Sequence, residues 1–167
     1  MGPLAVAALV GGLGCSEGGG AVSLRWRIVD LQSGVGYDAK KFSGPDGVCR
    51  CPPPSEASRS TECAPTYGWT VHRIEIELTD EKSGEAALLA DPRLTFDCSR
   101  REATTPFIVP PGNYGIRVHA RDPARGDCVE GHTPPAISRA IRKGDIVNLD
   151  VVEVGILNPP AAGSCPD

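Results

Sequence analysis

Short segments in which apolar and polar residues alternate are the feature that most constrains the fold of this chain. The clearest one lies within residues 105–122, where Tyr114, Ile116, Val118 and Ala120 are separated by polar residues or glycine. A period of two puts successive side chains on opposite faces of a β-strand, whereas a helix requires a period of about 3.6. The pattern therefore predicts a strand with its apolar face in a core and with His119 on the solvent face.

Similar segments recur along the chain. Gly and Pro are abundant, with 20 and 16 copies, and both residues disfavour long helices. Changes of phase near His72 and near Val151 and Val152 indicate a bulge or a twist within a strand. About seven short strands separated by turns are typical of an antiparallel β-sandwich, immunoglobulin-like or prealbumin-like. The main predicted strands cover residues 22–30, 69–78, 93–98, 114–121, 136–142 and 146–157.

The segment "VPPGNYGIRVHA", residues 109–120, is similar to the Pro-Gly-x-Tyr strand pair of the carboxypeptidase-regulatory and transthyretin-like sandwiches of bacterial surface proteins. That resemblance implies a β-sandwich in which Val109, before the turn, and Tyr114, after it, both pack in the core. It implies a fold only, since one fold can carry many functions.

The start of the chain has the character of an export signal. Residues 4–14 are apolar or small and carry no charge. They are too few to span a bilayer, which needs about 20 residues, but they suit the apolar part of a signal peptide. The segment resembles a bacterial lipoprotein signal ending at Cys15. It departs from that pattern at Gly12, where Leu is usual, and in having no basic residue before Arg25.

The lipoprotein resemblance implies that residues 1–14 are removed and that Cys15 receives a diacylglyceryl group. Residues 15–21 would then be the lipidated cysteine and a flexible, Gly-rich tether. Two alternatives stay open: an ordinary signal peptide that leaves Cys15 as a plain thiol, and a cytosolic chain. The expected location is the cell envelope, membrane-anchored at the outer membrane and facing either the periplasm or the surface.

Six cysteines remain when Cys15 is set aside. An even number in an exported chain indicates up to three disulfides, and six cysteines allow fifteen pairings. We favour Cys98 with Cys49 or Cys51, the other of those two with Cys63, and Cys128 with Cys165. A zinc site built from Cys49, Cys51, Cys63 and His72 is the alternative, but structural zinc sites usually separate paired cysteines by two to four residues.

The sandwich domain is expected over residues 22–158, followed by a tail at 159–167. Its residues 31–68 lack periodicity and form a long predicted loop, and loops of this length are usually functional or disordered. The loop is therefore the candidate contact surface. The alternative is that its aromatic residues only pack the loop on the sandwich. The residues singled out are Tyr37, Phe42, Pro52 and Tyr67.

The net charge and the sequence motifs limit the classes of function that we expect. The net charge is −4 and no basic cluster is present, so nucleic acid is not an expected partner. No nucleophile elbow or phosphate loop occurs, and Glu75 and Glu77 have the spacing of ordinary solvent-facing strand residues. We expect a non-enzymatic, lipid-anchored envelope protein that binds an envelope protein or glycan and uses no cofactor or metal.

Two other functional classes stay open. One is an envelope hydrolase or the accessory domain of an enzyme, for which His119 or His132 would meet serine or carboxylate side chains in a deep cleft. The other is a secreted β-sandwich without a lipid, which differs from the first expectation only at Cys15.

Overall fold

The computed structural model describes residues 18–31, 34, 36–37, 43–50, 70–88, 91–122 and 134–156. These residues form strands and two short 3-10 helices, Pro92–Leu94 and Cys98–Arg100, and they include no α-helix. Within these ranges no helix is long and apolar enough to cross a membrane. The strands are β1 Ala21–Asp30, β2 Gly36–Tyr37, β3 Cys49–Arg50, β4 Thr70–Val71, β5 Arg73–Asp80, β6 Ala86–Ala87, β7 Thr95–Asp97, β8 Glu102–Thr104, β9 Gly112–Arg121, β10 Ile137–Ile141 and β11 Ile146–Ile156.

The first sheet is built around β1. One side of β1 pairs in parallel with β11, and the other side pairs antiparallel with β8 and β2. All other described strand pairs are antiparallel. A parallel pair of strands needs a long connection. Here β1 and β11, the first and last long strands that the structure describes, pair with each other. The connection between them contains all the strands of the second sheet.

The second sheet is built around β5 and β9, which pair antiparallel from Arg73 opposite Arg121 to Asp80 opposite Tyr114. β10 lies on the outer side of β9, while β6 and β7 lie on the outer side of β5. β3 and β4 form a separate two-stranded ribbon. Seven of the described strands have three or more residues, as the sequence predicted.

The two sheets share one hydrophobic core, which makes the fold a β-sandwich. Alternating apolar residues of the four long strands β1, β5, β9 and β11 point into it. The Trp26 indole donates a hydrogen bond to the Cys98 carbonyl at 2.9 Å. Full burial of such aliphatic side chains contributes about 1.5–3 kcal/mol each. The residues include Val22, Leu24, Trp26, Ile28, Ile74, Ile76, Leu78, Ile116, Val118, Leu149, Val154 and Ile156.

The turn before β9 is packed against the core on both of its sides. Val109 and Tyr114 are both buried in the core. The Tyr114 hydroxyl donates a hydrogen bond to the Pro110 carbonyl at 2.9 Å, which ties the strand back to its own turn. Burial of the phenol, with a smaller contribution from the Asp80 carboxylate, raises the pKa of Tyr114.

Both predicted phase changes correspond to irregularities of the backbone. β4 ends at Val71 and β5 begins at Arg73, so the strand is interrupted at His72. In the β1–β11 pair, Ser23 lies opposite Asn148 but Arg25 lies opposite Val151. β11 therefore contains one extra residue, and this bulge moves its inward-facing positions from Leu149 to Val154 and Ile156.

The tether predicted over residues 15–21 is wrong at its carboxyl end. Gly20 exchanges backbone hydrogen bonds with Val109, and the Gly19 carbonyl accepts one from Gly144. A Cβ atom on Gly19 would lie 2.5 Å from the Val109 oxygen, and one on Gly20 would lie 2.5 Å from the Arg142 oxygen. These glycines therefore permit close backbone packing, and the fold begins before the predicted boundary at residue 22.

A disulfide joins Cys49 of β3 to Cys98, which directly follows β7. This is one of the two pairings favoured for Cys98. Both residues are fully buried, so the bond fastens the β3–β4 ribbon to the second sheet. The other predicted disulfide cysteines lie outside the described residues, as does the lipid attachment site: Cys51, Cys63, Cys128, Cys165 and Cys15.

Replacing Cys49 and Cys98 together by alanine should lower the free energy of unfolding by about 4 kcal/mol. The bond closes a loop with a sequence separation of 49, and removing it restores the entropy of that loop in the unfolded chain. Urea denaturation of the two proteins under oxidising conditions measures the difference. An unchanged midpoint would contradict the structural role that we assign to this bond.

Candidate functional site

A groove of about 600 Å³ opens on the outer face of the first sheet, across β8, β1 and β11. Its volume lies in the range of small-molecule binding sites. Its polar side chains come from all three strands, so no single sequence segment contains it. We call it the polar groove and define it by Ser23, Arg25, Glu102, Thr104, Asn148 and Asp150.

The bulge in β11 shapes the polar groove. Asp150, at the bulge, has a φ of 57°, a left-handed conformation that Asp and Asn tolerate better than most residues. Asp150 and Val151 are both exposed, so two consecutive side chains of the strand are accessible to solvent. Bulges are common next to functional sites because they redirect side chains in this way.

Asn148 fixes the conformation of the bulge. Its Oδ1 accepts a hydrogen bond from the Asp150 backbone N–H at 2.9 Å, and its Nδ2 donates to the Asp150 carboxylate at 3.3 Å. Asn148 itself is exposed. Both ends of its amide are therefore oriented before any ligand arrives.

Uncharged polar side chains cross the sheet beside Asn148. Thr104, Ser23 and Asn148 occupy matching register positions on β8, β1 and β11. The Thr104 hydroxyl donates to the Ser23 oxygen at 3.0 Å. Hydroxyl and amide groups supply both donors and acceptors, so this row can bind a ligand that itself offers both.

The charges of the polar groove are balanced. The guanidinium of Arg25 donates to the carboxylate of Glu102 at 3.1 Å, and both side chains are well exposed. Arg100 and Asp150 add one charge of each sign to the lining. The groove therefore has no net attraction for a strongly anionic or cationic ligand, and it favours a neutral polar one.

The outer face of the second sheet is different, because the ion pairs that cross it are less exposed than those of the first sheet. Arg121 donates to Glu75 at 2.7 Å. Glu77 contacts His119 at 2.7 Å, and the Arg117 guanidinium lies 3.5 Å away. His119 was expected on the solvent face, but it is only 6% exposed. The Glu77 carboxylate replaces water at the Nε2 atom of this ring.

The pKa of the Glu77 carboxyl group is shifted from its ordinary value. Its partial burial acts to raise the pKa, but the hydrogen bond from His119 acts in the opposite direction. The His119 charge, the Thr79 hydroxyl and the Arg117 charge add to the effect of that hydrogen bond, and the net result is a lowered pKa. The Glu77–His119 pair therefore holds its carboxylate ionised.

A second groove, of about 580 Å³, lies beside these ion pairs, but its lining includes Arg73, Glu75, Asp97 and Arg121 and neither Glu77 nor His119. The Glu77–His119 pair thus lines neither this groove nor the polar groove. The same holds for His72, 3.5 Å from a buried Asp122. His132 lies outside the described residues.

Tyr37 is the described member of the predicted contact surface, and it is buried in the core. Tyr37 pairs with Ile28 and so holds β2 on β1. This agrees with the alternative interpretation of the predicted loop, in which its aromatic residues only pack against the sandwich. Tyr37 is therefore removed from the candidate binding residues. Phe42, Pro52 and Tyr67 lie outside the described residues.

The zinc alternative loses one of its ligands, because the Cys49 sulfur is bonded to Cys98. Among the residues that the structure describes, no group of three or more His, Cys, Asp or Glu side chains could hold a metal ion.

No protein-family model, curated protein or solved structure matches this chain.

Replacing Glu77 by glutamine should destabilise the protein by about 2 kcal/mol at neutral pH, the typical contribution of a hydrogen bond to a charged group. A lowered carboxylate pKa contributes stability above the unfolded value, which is 4.5 for Glu77, and this stability disappears as the pH falls through the folded value. The difference between wild type and variant should therefore shrink below that pH.

Urea denaturation at a series of pH values measures this effect. Glu85→Gln, at an exposed position after the same strand, is the matched control and should change little. A Glu77→Gln penalty that stays constant into strong acid would contradict the role of the ionised carboxylate.

Proposed function

We propose that this chain is a non-enzymatic, lipid-anchored binding protein of the bacterial cell envelope and that its polar groove binds a neutral, hydroxyl-rich ligand, an envelope glycan. The observation that carries the proposal is the row of Thr104, Ser23 and Asn148 beside Asp150 in one groove. Sugar hydroxyls both donate and accept hydrogen bonds, and these side chains do the same.

The geometry of the groove supports a glycan in two further ways. The balanced charges of Arg25, Arg100, Glu102 and Asp150 suit a ligand without net charge. The exposed side chain of Val151 lies among the polar groups and offers an apolar contact for the C–H face of a sugar ring. A few placed polar groups beside apolar surface are the usual composition of a small-molecule site.

The cell-envelope location is supported by independent features. The buried Cys49–Cys98 disulfide is of the kind that persists in oxidising compartments and is rare in the cytosol. The apolar segment that ends at Cys15 resembles a lipoprotein signal, and several acyl chains on that cysteine would give a firm anchor. An anchored protein of this size would act close to the membrane.

The alternative of a hydrolase has one observation in its favour, the contact between His119 and Glu77. General acid–base catalysis requires that the histidine reach a substrate proton. The His119 side chain is nearly buried and Glu77 is shared with Arg117 and Thr79. This arrangement favours a structural ion pair, so we place the proposed function in the polar groove.

The intact mass of the mature protein from a bacterial membrane fraction tests the anchor. We expect a chain that begins at Cys15, is heavier by several acyl groups, and takes up six alkyl labels only after reduction. A chain without residues 1–14 and without lipid would make the protein a secreted domain. A retained Met1 with seven free thiols would contradict export altogether.

Binding to an array of bacterial surface oligosaccharides tests the polar groove. Asn148→Ala should weaken binding about tenfold, because a lost hydrogen bond of this kind costs about 1 kcal/mol or more. Asp150→Asn keeps the backbone preference of the bulge and removes only the charge, so it tests the carboxylate separately.

Ser138→Ala, at an exposed position on β10 of the other sheet, is the matched control and should bind like wild type. Equal binding by wild type and both groove variants would place the ligand elsewhere. Binding to an envelope protein but to no oligosaccharide would replace the glycan with a protein partner.

A further inference from the structure

The chain enters the sandwich at one end, and that end is held by a set of backbone hydrogen bonds. Gly19 donates to Phe107 at 3.3 Å, Gly20 donates to Val109 at 2.8 Å, and Ala21 donates to Asp145 at 2.8 Å. Residues 19–21 therefore lie between the 105–109 segment and the 142–145 turn. We call this the entry end and define it by residues 18–21, 105–109 and 142–146.

The length of chain between the proposed lipid and the entry end is short. Only residues 16–18 separate Cys15 from Gly19, and a fully extended chain advances at most about 3.6 Å per residue, or about 14 Å over these four steps. Acyl chains on Cys15 would be buried in the bilayer, which places the cysteine at the level of the headgroups. The entry end is thus confined to the membrane surface, whatever path residues 16–18 take.

The side chains of the entry end suit that position. Phe107 is 38% exposed and Ile146 is 56% exposed, and they belong to the two segments that flank residues 19–21. They are two of the four exposed large hydrophobic residues that the described structure contains. Apolar side chains gain free energy when they leave water for the boundary between headgroups and acyl chains, so Phe107 and Ile146 suit a membrane surface.

Basic residues lie in the same place. Arg142 and Lys143 are exposed in the turn whose Gly144 donates to the Gly19 carbonyl. Near a membrane, Lys and Arg side chains are attracted to anionic lipid. Asp145 lies in the same turn, and the acidic turn after Asp80 is joined to the start of β9 by a hydrogen bond from the Glu81 backbone N–H to the Asn113 carbonyl. The basic contact is therefore confined to the β10–β11 side.

We infer that the entry end is a membrane-contact surface, in which Phe107 and Ile146 enter the headgroup region while Arg142 and Lys143 contact lipid phosphates. This inference rests on the lipid anchor proposed above. It also sets the distance of the polar groove from the membrane. The groove residues on β1 lie two to four positions after Ala21, about 7–14 Å along the strand. The glycan that this groove can reach is then one close to the membrane.

Tryptophan fluorescence in vesicles tests the contact. The full chain, purified from bacterial membranes as Phe107→Trp, is reconstituted into vesicles whose phosphatidylcholine carries bromine on the acyl chains, with phosphatidylglycerol as the anionic lipid. Bromine quenches tryptophan only at short range. The unsubstituted chain, with Trp26 and Trp69, supplies the background, and the intact mass shows whether Cys15 is acylated.

Leu31→Trp is the matched control. Leu31 is 39% exposed and follows the far end of β1, about 33 Å along the strand from Ala21. We expect the fluorescence added by Phe107→Trp to be mostly lost in brominated vesicles and that added by Leu31→Trp to be retained. Ile146→Trp should behave like Phe107→Trp and serves as the second probe if the first variant folds poorly.

The outcomes separate the inference from the proposed anchor. An acylated chain in which neither Phe107→Trp nor Ile146→Trp is quenched would overturn the membrane contact and leave the anchor intact. Equal quenching at position 31 would also overturn it, because the sandwich would then lie on its side. A chain whose mass shows no acyl group would overturn the anchor and the inference together.

Discussion

The parallel pairing of β1 with β11 is the interaction on which the rest of the structure depends. It brings the first and last long strands that the structure describes into one sheet. All strands of the second sheet come between these two strands in the chain. The polar groove lies across this pair at the β11 bulge, and the entry end lies where the pair begins. Both proposed functional surfaces are therefore consequences of one long-range contact.

The polar side chains on the two outer faces of the sandwich differ in how far they are paired within the protein. On the second sheet, Glu75 and Glu77 are neutralised by arginines and by His119, so charge is satisfied within the protein. Partly buried ion pairs of this kind keep their mutual attraction because water screens them less. On the first sheet, the hydroxyl and amide groups around Asn148 remain exposed and are only oriented by their neighbours. That difference makes the first sheet the better candidate for ligand binding.

Much of the fold could be predicted from the sequence, because burial on one face of a strand leaves a period of two that is visible locally. The inward positions from Val22 to Ile28 and from Tyr114 to Ala120 followed that rule, and so did the interruptions at His72 and near Val151. The polar groove could not be predicted in this way. Ser23, Thr104 and Asn148 look like ordinary surface residues until strand pairing brings them side by side.

The sequence by itself determined the strand pattern, the all-β class and the candidate partners of Cys98, because each depends on local residue type and spacing. Only the tertiary structure decided that Gly19 and Gly20 are packed rather than flexible, that Tyr37 and His119 are buried, and that Asp150 faces a groove. Those properties depend on which backbone lies against each residue. Contacts between segments many residues apart leave no local periodicity, so only the folded chain can show them.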